Sequence, residues 1–163
     1  MEYTKLSILL LAFTILSCDK KQDPKAIDFI NQWEKLEIKT HTEKIIISKF
    51  SDSAKYEQNL NNIVFQILPE DGKLVEEKIV RKNIYFTKGE RDSLAKYIYE
   101  SVTKPKFTSI IATEYSGSVS LNYDTGSLRL ICEYNSTGNW SAVSDETKKI
   151  YTILSKKVEI SKN

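Results

Sequence analysis

From Val119 to Tyr134 apolar and polar residues alternate along two runs joined by a turn. Val119, Leu121 and Tyr123 are separated by Ser120 and Asn122; Leu128, Leu130, Cys132 and Tyr134 are separated by Arg129, Ile131 and Glu133; Asp124-Thr-Gly-Ser127 lies between. Strand side chains point to opposite faces with a period of two, so this stretch reads as an antiparallel β-hairpin with one apolar and one largely polar face. The sheet that contains it has to be packed on one side and wet on the other.

The cover comes from capped helices. Thr87-Lys-Gly-Glu90 is a capping box, in which the threonine and glutamate side chains satisfy each other's backbone N–H groups. It opens a helix with apolar positions Leu94, Tyr97, Ile98 and Val102, and Lys104-Pro105 stops it. Ser144-Asp-Glu caps a last helix carrying Ile150, Ile153, Leu154 and Val158 on one face, with acids early and lysines late to complement its dipole. Residues 24–36, with Asp23 as cap and Pro24 at the first position, have apolar spacing for a further helix that includes Trp33 as a core residue. Alternation starts at Leu36, Ile38 and Thr40. Lys44–Phe50 and Asn62–Leu68 read as strands, and Phe107–Ala112 as a short one. Ser51–Asn62 is polar and reads as a loop with room for one helical turn. After the Pro69-Glu-Asp-Gly72 turn, Lys73–Phe86 is extended; its polar middle, Glu76-Glu-Lys, makes it a broken or an edge strand. The fold class that follows is α+β: a mainly antiparallel sheet of five to seven strands with two or three helices on one face. Asp71-Gly-Lys-Leu74 before a Thr-capped helix echoes Thr125-Gly-Ser-Leu128 before a Ser-capped one, through duplication or through shared turn chemistry.

The chain begins with a short polar stretch containing Lys5, then the apolar run Leu6–Leu16, then Ser17-Cys18. That is the layout of a secretory signal, and the run is shorter than the roughly 20 residues a spanning helix needs. Ile15-Leu16-Ser17-Cys18 resembles the lipobox of bacterial lipoproteins, with Leu16 bulkier than the residue usual there. The resemblance implies that residues 1–17 are removed, that Cys18 carries a diacylglycerol on its thiol, and that its new amine is acylated. Several chains are needed for a stable anchor, since one holds only marginally. The alternatives are an ordinary cleaved signal with an incidental cysteine, or an uncleaved helix. Residues 18–24 then form a charged, solvated tether, and 25–163 a single α+β domain. Asp19 resembles an inner-membrane retention signal of some bacteria, while charged residues at this place direct surface export in others. The location implied is the bacterial cell envelope, inner or outer membrane left open.

Apolar residues make up 40% of the chain and charged residues 28%, with a net charge of +2. No run of lysines exceeds two, so no concentrated basic face argues for nucleic acid. With Cys18 taken by lipid, Cys132 is alone and the domain has no disulfide to staple it. Cys132 reads as a small hydrophobe on the apolar face of the hairpin, the other choice being a reactive thiol. His41 is the one histidine, too little for a zinc site, and any histidine-based triad has to use it. Glu76, Glu77, Glu114, Asp124 and Glu133 are available as paired acids, but their spacing selects no pair. No phosphate-binding glycine motif is present, and neither a cofactor nor a metal is expected. Two triplets, Asp52-Ser53-Ala54 and Asp92-Ser93-Leu94, are similar to O-glycan acceptors of some bacterial envelope proteins, with Ser93 falling in an expected helix.

The loop after the hairpin is the best candidate for recognition. Tyr134, Asn135, Asn139 and Trp140 put two large aromatics in a polar setting, as protein interfaces do. The other reading is that Trp140 folds back over the end of the core. The expected function is that of a lipid-anchored, non-enzymatic envelope protein whose domain binds another protein, in its most concrete form an immunity or inhibitor protein. The alternatives are an accessory structural subunit of an envelope assembly or transport machine, and a small cell-wall or glycan hydrolase. On the protein-binding reading, replacing Trp140 should abolish binding and leave the fold intact.

Overall fold

The computed structural model of the chain describes residues 30–60, 78–106 and 117–162. One compact unit spans Gln32–Asn163. Among the described residues six strands build its sheet: β1 (Lys35–Thr40), β2 (Glu43–Ser48), β3 (Ser53–Asn59), β4 (Ile79–Tyr85), β5 (Val119–Asp124) and β6 (Arg129–Tyr134). Their spatial order is β4-β3-β2-β1-β5-β6, with every neighbouring pair antiparallel. The first four strands step outwards as a meander, and the hairpin β5–β6 is then laid on the other side of β1.

The hairpin read from the alternation forms with Val119 opposite Tyr134, Leu121 opposite Cys132 and Tyr123 opposite Leu130. β5 continues the pattern into β1, where Leu121 faces Ile38 and Tyr123 faces Leu36. β1 passes it to β2 through the pairs Leu36–Ile47 and Ile38–Ile45. These inner residues lie on one side of the sheet; all are buried except Leu130 and Cys132, which are half-buried and pack against the core. At the β5–β6 turn Gly126 adopts φ of 82°, a region that L-residues with a Cβ avoid. A Cβ there would also lie 2.7 Å from a carboxylate oxygen of Glu34.

Helices α1 (Lys88–Thr103) and α2 (Asp145–Leu154) pack against the apolar side and give an α+β fold. Both start where the caps place them. Thr87 accepts from the Glu90 N–H at 3.2 Å, and the Glu90 carboxylate accepts from the Thr87 N–H at 2.8 Å. Ser144 and Thr147 make the corresponding box for α2. Leu94, Ala95 and Ile98 of α1 and Ile150 and Leu154 of α2 enter the core, and the Tyr99 ring sits 5.2 Å from that of Tyr123.

Three local expectations are corrected. The stretch read as a loop after Ser51 contains β3. Its only apolar residues, Ala54 and Tyr56, are two apart and both buried, while β2 and β4 hydrogen-bond it from either side. The helix expected over 24–36 does not reach its end: Gln32–Glu34 are non-helical and Lys35 already pairs in β1, although Trp33 is buried as expected. Helix α2 stops at Leu154, so Val158 belongs to the segment after it, and no basic residue lies in its last turn. The second half of the stretch expected to be broken or at an edge is β4, an edge strand with only Ile84 buried. The strands expected over 62–68 and 107–112, and the 69–72 turn, lie outside the described residues. Among the described residues, no helix is long and apolar enough to cross a membrane.

Thr87→Ala removes one half of the α1 capping box. It should lower stability by about 1 kcal/mol, read as a shifted urea midpoint with an unchanged slope.

Candidate functional site

The loop that the aromatics marked is built to hold them inside. Asn139 accepts from the Ser141 N–H at 3.1 Å and from its hydroxyl at 2.7 Å, which winds Trp140–Ala142 into a single 3-10 turn. Trp140 has 0% exposure. Its indole N–H donates to the Ser161 carbonyl at 2.6 Å, its backbone N–H to the Lys162 carbonyl at 2.9 Å, and its ring meets Tyr151 edge-on at 5.6 Å. Tyr134 is 2% exposed, and burial, with Cys132 beside it, keeps its phenol above the usual tyrosine range. Of the four residues proposed for recognition, only Asn135 and Asn139 are exposed, and the Asn139 carboxamide is committed to its cap. The expectation that Trp140→Ala would spare the fold is therefore replaced by its opposite. Cys18 lies outside the described residues.

The acids do not converge on a reaction centre either. One surface cleft at the β1–β2 turn is lined by His41, Glu43 and Glu57. Glu43 faces the same side of the sheet as its partner Gln58, whereas Glu57 is paired with Lys44 and points to the other side. Each carboxylate is already engaged. Glu43, 4% exposed, accepts from the Thr40 hydroxyl and from the Ser161 N–H at 3.3 Å. Glu57 accepts from Arg81 at 3.0 Å. Asp124 serves the turn, accepting from the Gly126 N–H at 2.8 Å, and Glu133 takes a long bond from Ser120 at 3.4 Å. Glu76, Glu77 and Glu114 are outside the described residues. Cys132 is half-buried, and burial together with Glu133 raises its thiol more than a bond with Tyr134 lowers it. Such a thiol carries less thiolate than a free one, the reverse of what nucleophilic chemistry asks. Among the described residues no three His, Cys, Asp or Glu side chains group as metal ligands.

What the fold does present is the side of the sheet away from α1 and α2. Strand register arranges it in three rows. The first runs Tyr85, Ser53, Ser48, Lys35, Asp124, Arg129; the second Asn83, Lys55, Ile46, Glu37, Asn122, Ile131; the third Arg81, Glu57, Lys44, Lys39, Ser120, Glu133. Ion pairs tie neighbouring strands, Lys35–Asp124 at 3.5 Å, Lys44–Glu37 at 3.2 Å and Arg81–Glu57 at 3.0 Å, and Arg129 reaches across β5 to Glu37 at 4.0 Å. Pairs this exposed each add only about 0–1 kcal/mol, so stability is a weak reason for the array. Large apolar groups stand at its two ends, Tyr85 at 64% exposure and Ile131 at 53%. Next to that end Asn122 is 5% exposed between Glu37 and Ile131, and its carbonyl oxygen accepts no hydrogen bond from the described residues. Sequence reasoning misses this surface because its second column is β3, which reads as a loop. The Lys55–Glu57 alternation with Ala54 and Tyr56 was the available signal.

Two outcomes test these assignments. Trp140→Ala should cost about 3–5 kcal/mol, as deletion of a buried aromatic does, and show as a large fall in the thermal midpoint. The Asp124 carboxyl is held below its ordinary 3.8, first by the Gly126 N–H and then by Lys35 and Arg129, against an opposing effect of burial. A lowered folded value makes its stabilisation full above the unfolded value and lost as pH falls through the folded one. The gap in unfolding free energy between the native chain and Asp124→Asn should hence narrow from about pH 7 to about pH 2.5. No protein-family model matches the chain, and neither does any curated protein or solved structure.

Proposed function

We propose that the chain is a lipid-anchored protein of the bacterial cell envelope, held to the membrane through Cys18, whose domain binds another protein by the side of its sheet away from α1 and α2. An immunity or inhibitor role is the concrete form of this reading. The observation that carries it is the pairing of exposed Tyr85 and Ile131 with a charged array that cross-strand ion pairs hold in place. Interfaces derive affinity from a few large side chains and derive orientation and rate from charge complementarity around them. Among the described residues Lys39 and Lys55 take part in none of these ion pairs, and they leave the array with a positive excess. The signal-like first 18 residues and the charged tether support the location.

The test is in-cell crosslinking of the tagged protein, with partners identified by mass spectrometry. Cys18→Ala should release the chain from the membrane fraction. Lys39→Glu combined with Tyr85→Ala should leave the thermal midpoint nearly unchanged, since exposed substitutions usually stay within about 0.5 kcal/mol. The same double variant should reduce partner recovery about ten-fold or more, the loss of one hot-spot contact. Partner recovery that is indifferent to the double variant would remove this surface from consideration, and absence of any protein partner would remove the binding role.

A further inference from the structure

The segment after α2 is held in an unusual manner. Residues 158–162 form no strand and pair with none. Side chains from three separate elements grip their backbone instead. Tyr56 of β3 donates its hydroxyl to the Glu159 carbonyl at 3.0 Å; the Glu43 carboxylate of β2 accepts from the Ser161 N–H at 3.3 Å; the Trp140 indole donates to the Ser161 carbonyl at 2.6 Å. The Trp140 backbone N–H adds a bond to the Lys162 carbonyl at 2.9 Å. Val158 and Ile160, two residues apart, are each 6% exposed, while Glu159 and Lys162 point outwards. Main-chain hydrogen bonds with pockets for alternate side chains are how a groove receives an extended peptide.

We infer that Trp140, Tyr56 and Glu43 form a peptide groove filled in cis by residues 158–162, and that its exchange occupant is the same segment of a second copy. None of the four backbone contacts reads the identity of the residue it holds. They ask for an extended chain with two buried aliphatic side chains spaced by one. A second copy meets that request completely, and reciprocal exchange restores each contact that it breaks, the low-cost route to a swapped dimer. The hinge is the turn Ser155–Lys157, held by bonds from the Lys157 and Val158 N–H groups to the Leu154 carbonyl at 2.9 and 3.0 Å. In the native chain the attached segment competes at an effective concentration of order millimolar, so a free segment enters poorly.

The full chain carrying Val158→Ser and Ile160→Ser loosens its own occupant and leaves the groove intact. The probe is a dye-labelled synthetic peptide of residues 156–162, followed by anisotropy and by tryptophan fluorescence. The peptide is expected to bind the double variant about ten-fold or more tightly than it binds the native chain, because the competent fraction rises. A peptide with the same two serine replacements should not bind. If the double variant is unfolded, saturating native-sequence peptide is expected to restore its fold. The inference is overturned by a folded double variant that ignores the peptide, by binding that survives the serine replacements in the peptide, or by an unfolded variant that the peptide does not rescue.

Discussion

Leu36 and Ile38 lie on the strand that is paired from both sides, against Ile47 and Ile45 of β2 and against Tyr123 and Leu121 of β5. That double pairing is what joins the meander to the hairpin. Without β1 the described strands would fall into two separate antiparallel pieces, the three-stranded β2–β3–β4 and the two-stranded β5–β6, of which a two-stranded piece on its own is marginal at best. Both helices depend on it as well, since α1 packs on β5 and β6 and needs the buried row that β1 completes. A register slip of one residue in β1 would turn Leu36 and Ile38 towards the charged side and lift Glu37 into the core.

The parts of this architecture that could be read from the sequence are those whose signals are local. The hairpin declares itself by alternation within one short stretch, the start of α1 by Thr87 and Glu90 three residues apart, and the start of α2 by Ser144 before two acids. β3 carries the same period as the hairpin, but with only Ala54 and Tyr56 as its inward pair. Two residues do not outvote a polar composition, and the strand exists because β2 and β4 need its backbone. Trp33 was assigned to the core for a helical spacing that the chain abandons at Gln32; it is buried through its place before β1.

Trp140 shows a different limit. An aromatic residue in a polar loop has the same appearance whether it faces a partner or its own chain. The choice is made by Tyr151, Ser161 and Lys162, which are distant enough in sequence that no window around the loop contains them all. The side of the sheet away from α1 and α2 was illegible for a related reason. Its rows run across strands, so each one gathers residues from six separate places, and their adjacency exists only once register is known. Ion pairs such as Lys44–Glu37 can then be named, but no spacing rule would have found them.

The outer strand β4 turns nearly all of its side chains to solvent and places Arg81, Lys82 and Asn83 in succession. Lys82 lies over the Tyr56 ring at 4.9 Å, which keeps its cation at the rim of the sheet while its stem covers apolar surface. Edge strands expose backbone groups that can template growth by further strands, and charged side chains there, Lys82 above all, oppose pairing with another edge. A population of such molecules crowded on a surface would thus be kept from zipping into continuous sheets along β4, and would remain colloidally dispersed at densities where a flat, apolar edge would nucleate fibres.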